Sequence, residues 1–222
     1  WSQEWIRYRE QQSTSQTVPT ALMRTGDFSE LLDPSTGFFN TARVIRDPDT
    51  NQPFAGNIIP ANRLSANGIA FLNTYPTPTP GYRQGTANFF QIRPRPQNQR
   101  KDTVSIDYNM TPSQVLRFRH SNYNWTALDA FRGGFDYAVT DWSRPNKTAS
   151  LNHVWTLSPT MINEFMVAAS VDRVYIGVDR EGERYARAKR GINYPYLFND
   201  PKEIQDKIPT IAVSNFGTID GG

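Results

Sequence analysis

The chain has 222 residues, 37% hydrophobic and 13% aromatic, with no cysteine and a formal charge of +3. The missing cysteine excludes thiolate catalysis, zinc–thiolate centres and a disulfide scaffold, and this many aromatic residues argues against simple disorder. Acidic and basic residues are interspersed rather than blocked, so neither a nucleic-acid nor an anionic-membrane patch is expected.

Residues 1–10 (WSQEWIRYRE) put Trp1, Gln3, Trp5 and Arg7 on one side and Glu4, Ile6 and Tyr8 on the other, which reads as a strand. The polar residues 11–17 are expected to leave it. Residues 18–95 then make a connection far longer than usual, punctuated by proline and glycine. Inside it, Phe28 to Leu32 predicts one helical turn after Asp27 as N-cap. Ser65 to Tyr75 predicts a short helix, with Ser65 as N-cap and Ile69, Phe71 and Leu72 facing inward. After Asn88, NFFQIRPRP can open another strand, but Pro94 and Pro96 confine that part to an edge or a solvent end.

From Thr103 to Met110 the residues alternate polar and apolar, with Val104, Ile106, Tyr108 and Met110 on one side. Pro112 and Ser113 suit a turn. The alternation then resumes with Leu116 and Phe118 against Arg117 and Arg119. A second copy follows. Ala149, Leu151, His153, Trp155 and Leu157 share a side, a turn forms at Pro159, and Phe165, Val167, Ala169 and Val171 alternate with Glu164, Met166, Ser170 and Asp172. The two turn prolines lie 47 positions apart. The unit is therefore strand, short turn, strand and long polar excursion. A period of two fits either a soluble sandwich with one wet face or a membrane barrel whose apolar face meets lipid. Short turns at one end, long loops at the other, and Tyr108, Tyr123, Trp125 and Trp155 near strand ends lean toward the barrel. No run approaches the ~18 apolar residues of a membrane helix, a test to which strands are invisible.

Few residues offer chemistry. His120 and His153 fall by parity on the apolar side, whereas Asp107 and Glu164 fall on the polar side, so the four cannot share a metal or acid–base centre. Asp47-Pro48-Asp49-Thr50-Asn51 imitates the start of a calcium loop, but Gln52 and Ile58 stand where Gly and Glu are needed. A turn is expected there. The chain is accordingly expected to be no enzyme and to carry no cofactor. In a barrel, Asp107, Arg117, Arg119, Glu164 and Asp172 would face the lumen, either touching substrate or plug, or serving as wall charges in a wet interior.

The segments VPTALMRTGDFSELL (18–32) and IRDPDTNQPFAGNIIPANRLSANGIAFLNTYPTPT (45–79) resemble the long loop of Oar-like TonB-dependent outer-membrane receptors. WSQEWIRYRE resembles the barrel strand before that loop, and 102–125 and 147–175 resemble the family's next two hairpins. The likeness covers residues 1 to about 175 and is most specific in GDFS and IPANRLS. It implies an outer-membrane location, energy-coupled uptake of a ligand it does not name, and as partners the TonB system, a plug domain and the lipid bilayer. Pro112 and Pro159 become periplasmic turns. A plug and a C-terminal strand are not among these residues, and five strands cannot close a barrel of about 22, so the chain reads as a piece of a longer protein.

The expected fold is all-β: antiparallel strands forming part of a large transmembrane β-barrel, with long outer loops carrying short helices. Strands are placed at about 1–10, 98–110, 115–125, 147–157 and 161–176, with loops at 11–95, 126–146 and 177–222. The alternative is a surface-exposed β-rich binding or structural subunit derived from such a receptor.

Overall fold

The structure, a computed structural model, describes residues 1–179, 186–193 and 207–221. It divides into a strand unit (Trp1–Gln11, Pro94–Asp129 and Thr140–Gly177) and a loop unit (Gln12–Arg93, Ala130–Val139 and Val178–Gly222).

The strands are β1 (Ser2–Gln16), β2 (Phe89–Thr111), β3 (Gln114–Asp129), β4 (Val139–Ser158), β5 (Met161–Asp172) and β6 (Tyr175–Asp179). They form one sheet in the order β1-β2-β3-β4-β5, with β6 also paired to β4. The pairs β2–β3, β3–β4 and β4–β5 are antiparallel. Pro112-Ser113 and Pro159-Thr160 make the two-residue turns between β2 and β3 and between β4 and β5. The register shifts beside each.

The register fixes the faces. Ile106 pairs with Phe118, Phe118 with Leu151, and Leu151 with Val167. Directly opposed residues project to the same side, so the apolar positions of four strands make one continuous face. The neighbouring row, Ser105, Arg119, Ser150 and Ala168, belongs to the other. Within the described strand unit this face is left exposed. Ile106 is 55% exposed and Phe165 64%.

Several strands differ from their sequence expectation. β1 does not end at residue 10. Gln12 to Gln16 continue it although polar throughout, tied by Thr14 Oγ1 to the Gly134 carbonyl (2.9 Å) and by Asn88 N–H to the Gln16 carbonyl (3.1 Å). β2 starts at Phe89, but β3 pairs with it only from Gln97, so Pro94 and Pro96 need no donor on that side. β3 and β4 reach Asp129 and Val139, which shortens the expected loop 126–146. The expected strand 161–176 breaks at Arg173-Val174 and resumes as β6. Opposite the break stands Pro145, which lacks an N–H, and its carbonyl takes the Arg173 N–H at 3.1 Å. Tyr123 and Trp125 sit on the polar face, paired with Lys101 and Gln99, not on the apolar one. The expected loop 177–222 lies partly outside the described residues, Pro195 and Pro201 included.

The loop unit has its own core. Val18, Tyr75, Phe89, Phe135, Tyr137, Ile208 and Ile219 cluster and are buried. Tyr75 meets Phe135 edge-on, with centroids 5.7 Å apart, a geometry favoured by the ring quadrupoles. The helix α1 spans Ala66–Thr74, and the Ser65 hydroxyl accepts from Gly68 N–H at 3.2 Å, the expected cap. Arg24 donates to the carbonyls of Leu72 (2.6 Å) and Tyr75 (3.2 Å), occupying acceptors at the other end of α1.

Candidate functional site

In the strand unit, Asp107, Arg117, Arg119, Glu164 and Asp172 all project from the polar face, by the same register that collects the apolar one. Arg119 Nη1 lies 2.6 Å from Asp107 Oδ1. Asn152 Nδ2 donates to Glu164 Oε1 at 2.6 Å, and Arg144 reaches Asp172 at 4.0 Å. Arg117 is paired across the ladder with Asp107 and Asn152. These are exposed cross-strand contacts, each contributing little to stability in water. They form an exposed surface on which acidic and basic side chains pair across strands. Pro112 and Pro159 each sit first in a two-residue turn, where their fixed φ suits the bend.

The histidines project from the apolar face, away from those carboxylates. His120 opposes Val104 and Ala149, and His153 Nε2 lies 3.2 Å from Gln114 Oε1. Among the described residues no three His, Asp or Glu are grouped to hold a metal ion.

The loop unit holds a different arrangement. The two segments that carry the family resemblance, GDFS and IPANRLS, meet in space. Ile59 N–H donates to the Gly26 carbonyl at 3.0 Å, and Asp27 and Ile58 form a β-bridge. Gly26 has φ +88°, a conformation that favours glycine, and a Cβ there would lie 2.6 Å from a Leu64 methyl. A 3₁₀ turn over Ser29–Leu32 matches the predicted helical turn, but its N-cap is Phe28 and not the expected Asp27, whose Oδ1 instead accepts from Ser29 N–H at 2.9 Å. The Ser29 hydroxyl, and after it the Ser29 N–H, hold the Asp27 carboxyl below its ordinary pKa.

Asn57 locks the same region. It is buried with φ +63°. Its amide donates to the carbonyls of Phe28 (3.0 Å) and Arg43 (2.8 Å), and its Oδ1 accepts from Ile45 N–H (2.7 Å). The calcium-like stretch is a turn whose carboxylates already have a cation. Arg63 Nη2 lies 2.6 Å from Asp47 and 2.5 Å from Asp49.

Between these segments and α1 lies an apolar cavity of about 450 Å³, lined by Phe28, Ile45, Phe54, Ile59, Leu64, Ile69, Phe71 and Leu72, with Arg46 and Arg63 also on its wall. Its size and largely apolar lining are those of a small-molecule pocket. Ile69, Phe71 and Leu72 therefore turn inward, as the helical spacing predicts, but toward a partly open cavity and only half-buried. The cavity itself is not legible in the sequence, because it is assembled from residues spread between Phe28 and Leu72.

A family model for an outer membrane beta barrel domain matches residues 1–222. The chain belongs to that family, and its uncovered apolar sheet face is the surface that such a barrel turns to lipid. No curated protein and no solved structure matches it. The protein is thus an outer-membrane, strand-built one. The described residues contain no helix long and apolar enough to cross a membrane.

Proposed function

We propose that this chain is part of a TonB-dependent receptor of the Oar-like group, which captures a ligand outside the cell and takes it up with energy from the TonB system. The observation that carries this reading is the meeting of GDFS and IPANRLS around the apolar cavity. Two segments with no generic reason to occur together line one pocket in the long connection between β1 and β2. In this reading β2 to β5 are barrel wall. Asp107, Arg117, Arg119, Glu164 and Asp172 face the lumen, where a plug domain supplied by the full-length protein packs. The Pro112 and Pro159 turns lie on the periplasmic side, since short turns take that side in such barrels. The loop unit presents the cavity to an incoming ligand with an apolar portion. No catalytic step is part of the reading.

The test compares solutes left in the medium by three strains: wild type, one lacking the full-length protein, and one lacking active TonB. The reading expects the two mutants to leave the same solute unconsumed. A solute whose consumption needs this protein but not TonB would contradict uptake by a TonB-dependent receptor. It would favour a surface-exposed binding or structural subunit instead.

A further inference from the structure

The apolar face is not apolar along its whole length. Moving along β2 away from the Pro112 turn, the residues on that side run Tyr108, Ile106, Val104, then Asp102 and Arg100. β1 joins the same side. Gln3 Nε2 donates to Asp102 Oδ1 at 2.7 Å, and the Arg100 guanidinium lies 4.7 Å from the centroid of the Trp5 ring. Odd-numbered residues of β1 therefore share the face, Arg7 and Arg9 among them. Arg7 approaches Trp5 at 5.8 Å, and Arg9 Nη1 donates to the Gln97 carbonyl at 3.2 Å. An open groove of about 340 Å³ lies between Trp5, Arg7, Arg9 and Arg100. Lys147 lies on the same face two strands from Asp102, opposed to Asn122, which in turn opposes Asp102.

The charges here do not cancel. Asp102 is taken by Arg100 at 2.8 Å, and among the described residues Arg7, Arg9 and Lys147 make no ion pair. The height is also specific. Arg100 stands eleven residues from Thr111 at the turn, as Lys147 does from Ser158. At ~3.4 Å per residue and a tilt of roughly 35–45°, eleven residues climb about 26–31 Å, close to the ~25 Å apolar band of such barrels. The cluster thus stands where acyl chains give way to headgroups, and Trp1 and Trp5, exposed on the same face, suit that level.

We propose that Arg7 and Arg100, packed against Trp5, together with Arg9 on the same groove, form a binding site for the phosphate group of a membrane lipid headgroup. Guanidinium forks match phosphate oxygens in a bidentate manner. The adjoining apolar face receives the lipid's acyl chains, which a soluble phosphate could not use. The site rests on one part of the reading above, the periplasmic side of the Pro112 turn, and not on ligand uptake.

The test uses the full-length protein in detergent micelles, titrated with a bisphosphorylated glycolipid (lipid A) and read by native mass spectrometry. Binding should be at least about tenfold tighter than for the same lipid stripped of phosphate, and should weaken at high salt. The triple variant Arg7→Gln, Arg9→Gln, Arg100→Gln should lose that preference. Lys101→Gln, at the same height on the opposite face, should keep it. A folded barrel in every variant is checked by its altered gel mobility before heating. Equal binding of phosphorylated and stripped lipid would overturn the proposal, as would an unaffected triple variant. Displacement by millimolar inorganic phosphate would also overturn it, as the mark of a site for soluble anions.

Discussion

Asn57 shows how much of the loop unit rests on one side chain. Its amide and carbonyl bridge three backbone groups from two separate stretches, and its backbone occupies the left-handed region that asparagine tolerates. Asn57→Ala leaves two carbonyls and one N–H without those partners, and should cost the loop unit roughly 2–4 kcal/mol. Limited proteolysis should then cut within residues 40–60 while the strand unit stays intact. Nothing local in the sequence marks Asn57, because its partners lie 12 to 29 positions away. The Asp27 bond to Ser29 is local and so can be read from the sequence, although Phe28 and not Asp27 is the N-cap of the turn. The carboxyls of Asp27 and Asp33 are held below their ordinary pKa by the serine two residues on. The sign follows from the depression. Their contribution to stability is complete above the ordinary carboxylate range and is lost as pH falls through the lower folded values. Amide-exchange protection at Ser29 and Ser35, corrected for intrinsic rate, should persist at about pH 4 and decay below it. In Asp27→Asn, protection at Ser29 should no longer depend on pH in that range.

At the scale of elements, legibility depends on whether each strand has two different environments. β2 to β5 carry alternation where one face is apolar and the other wet, and there the faces can be read from the residues alone. Gln12 to Gln16 of β1 and the first residues of β4 are strand without alternation, since neither side is uniformly apolar. Hydrogen bonds such as Thr14 to Gly134 decide them instead. Aromatic residues near strand ends are a weaker guide, because end position says nothing of face. Tyr123 and Trp125 lie on the polar one. The two faces make a paired prediction. Ile106→Lys places a charge on the lipid side and should cost about 2–4 kcal/mol in bilayer unfolding measurements. Ser105→Lys, one residue away on the polar face, should cost far less. Equal costs would mean that the faces meet the same medium.

At the scale of the molecule, the chain joins a strand unit with an uncovered apolar face to a loop unit with its own core and cavity. The loop unit escapes period analysis because the short 3₁₀ turns and the nine-residue helix among its described residues carry too little repetition. Its assembly is foreshadowed only by the unusual wording of GDFS and IPANRLS. The proposal that the cavity captures ligand has a direct consequence. Leu64→Trp, filling the cavity, should reduce uptake by the full-length protein about tenfold or more while leaving its level in the outer membrane unchanged. Unaltered uptake would place ligand capture elsewhere.

The central claim is that the sheet divides lipid from water, and lipid exposure measures it most directly. Spin labels would be placed singly at Ile106, Phe118, Phe165 and Val167, and at Asp107 and Arg119, in the full-length protein in its native membrane. Accessibility to oxygen is then compared with accessibility to a water-soluble relaxer. The account predicts oxygen-accessible, water-protected labels at the first four positions and water-accessible labels at the other two. Labels at the first four that are shielded from both reagents would mean a face packed on protein, and would contradict it.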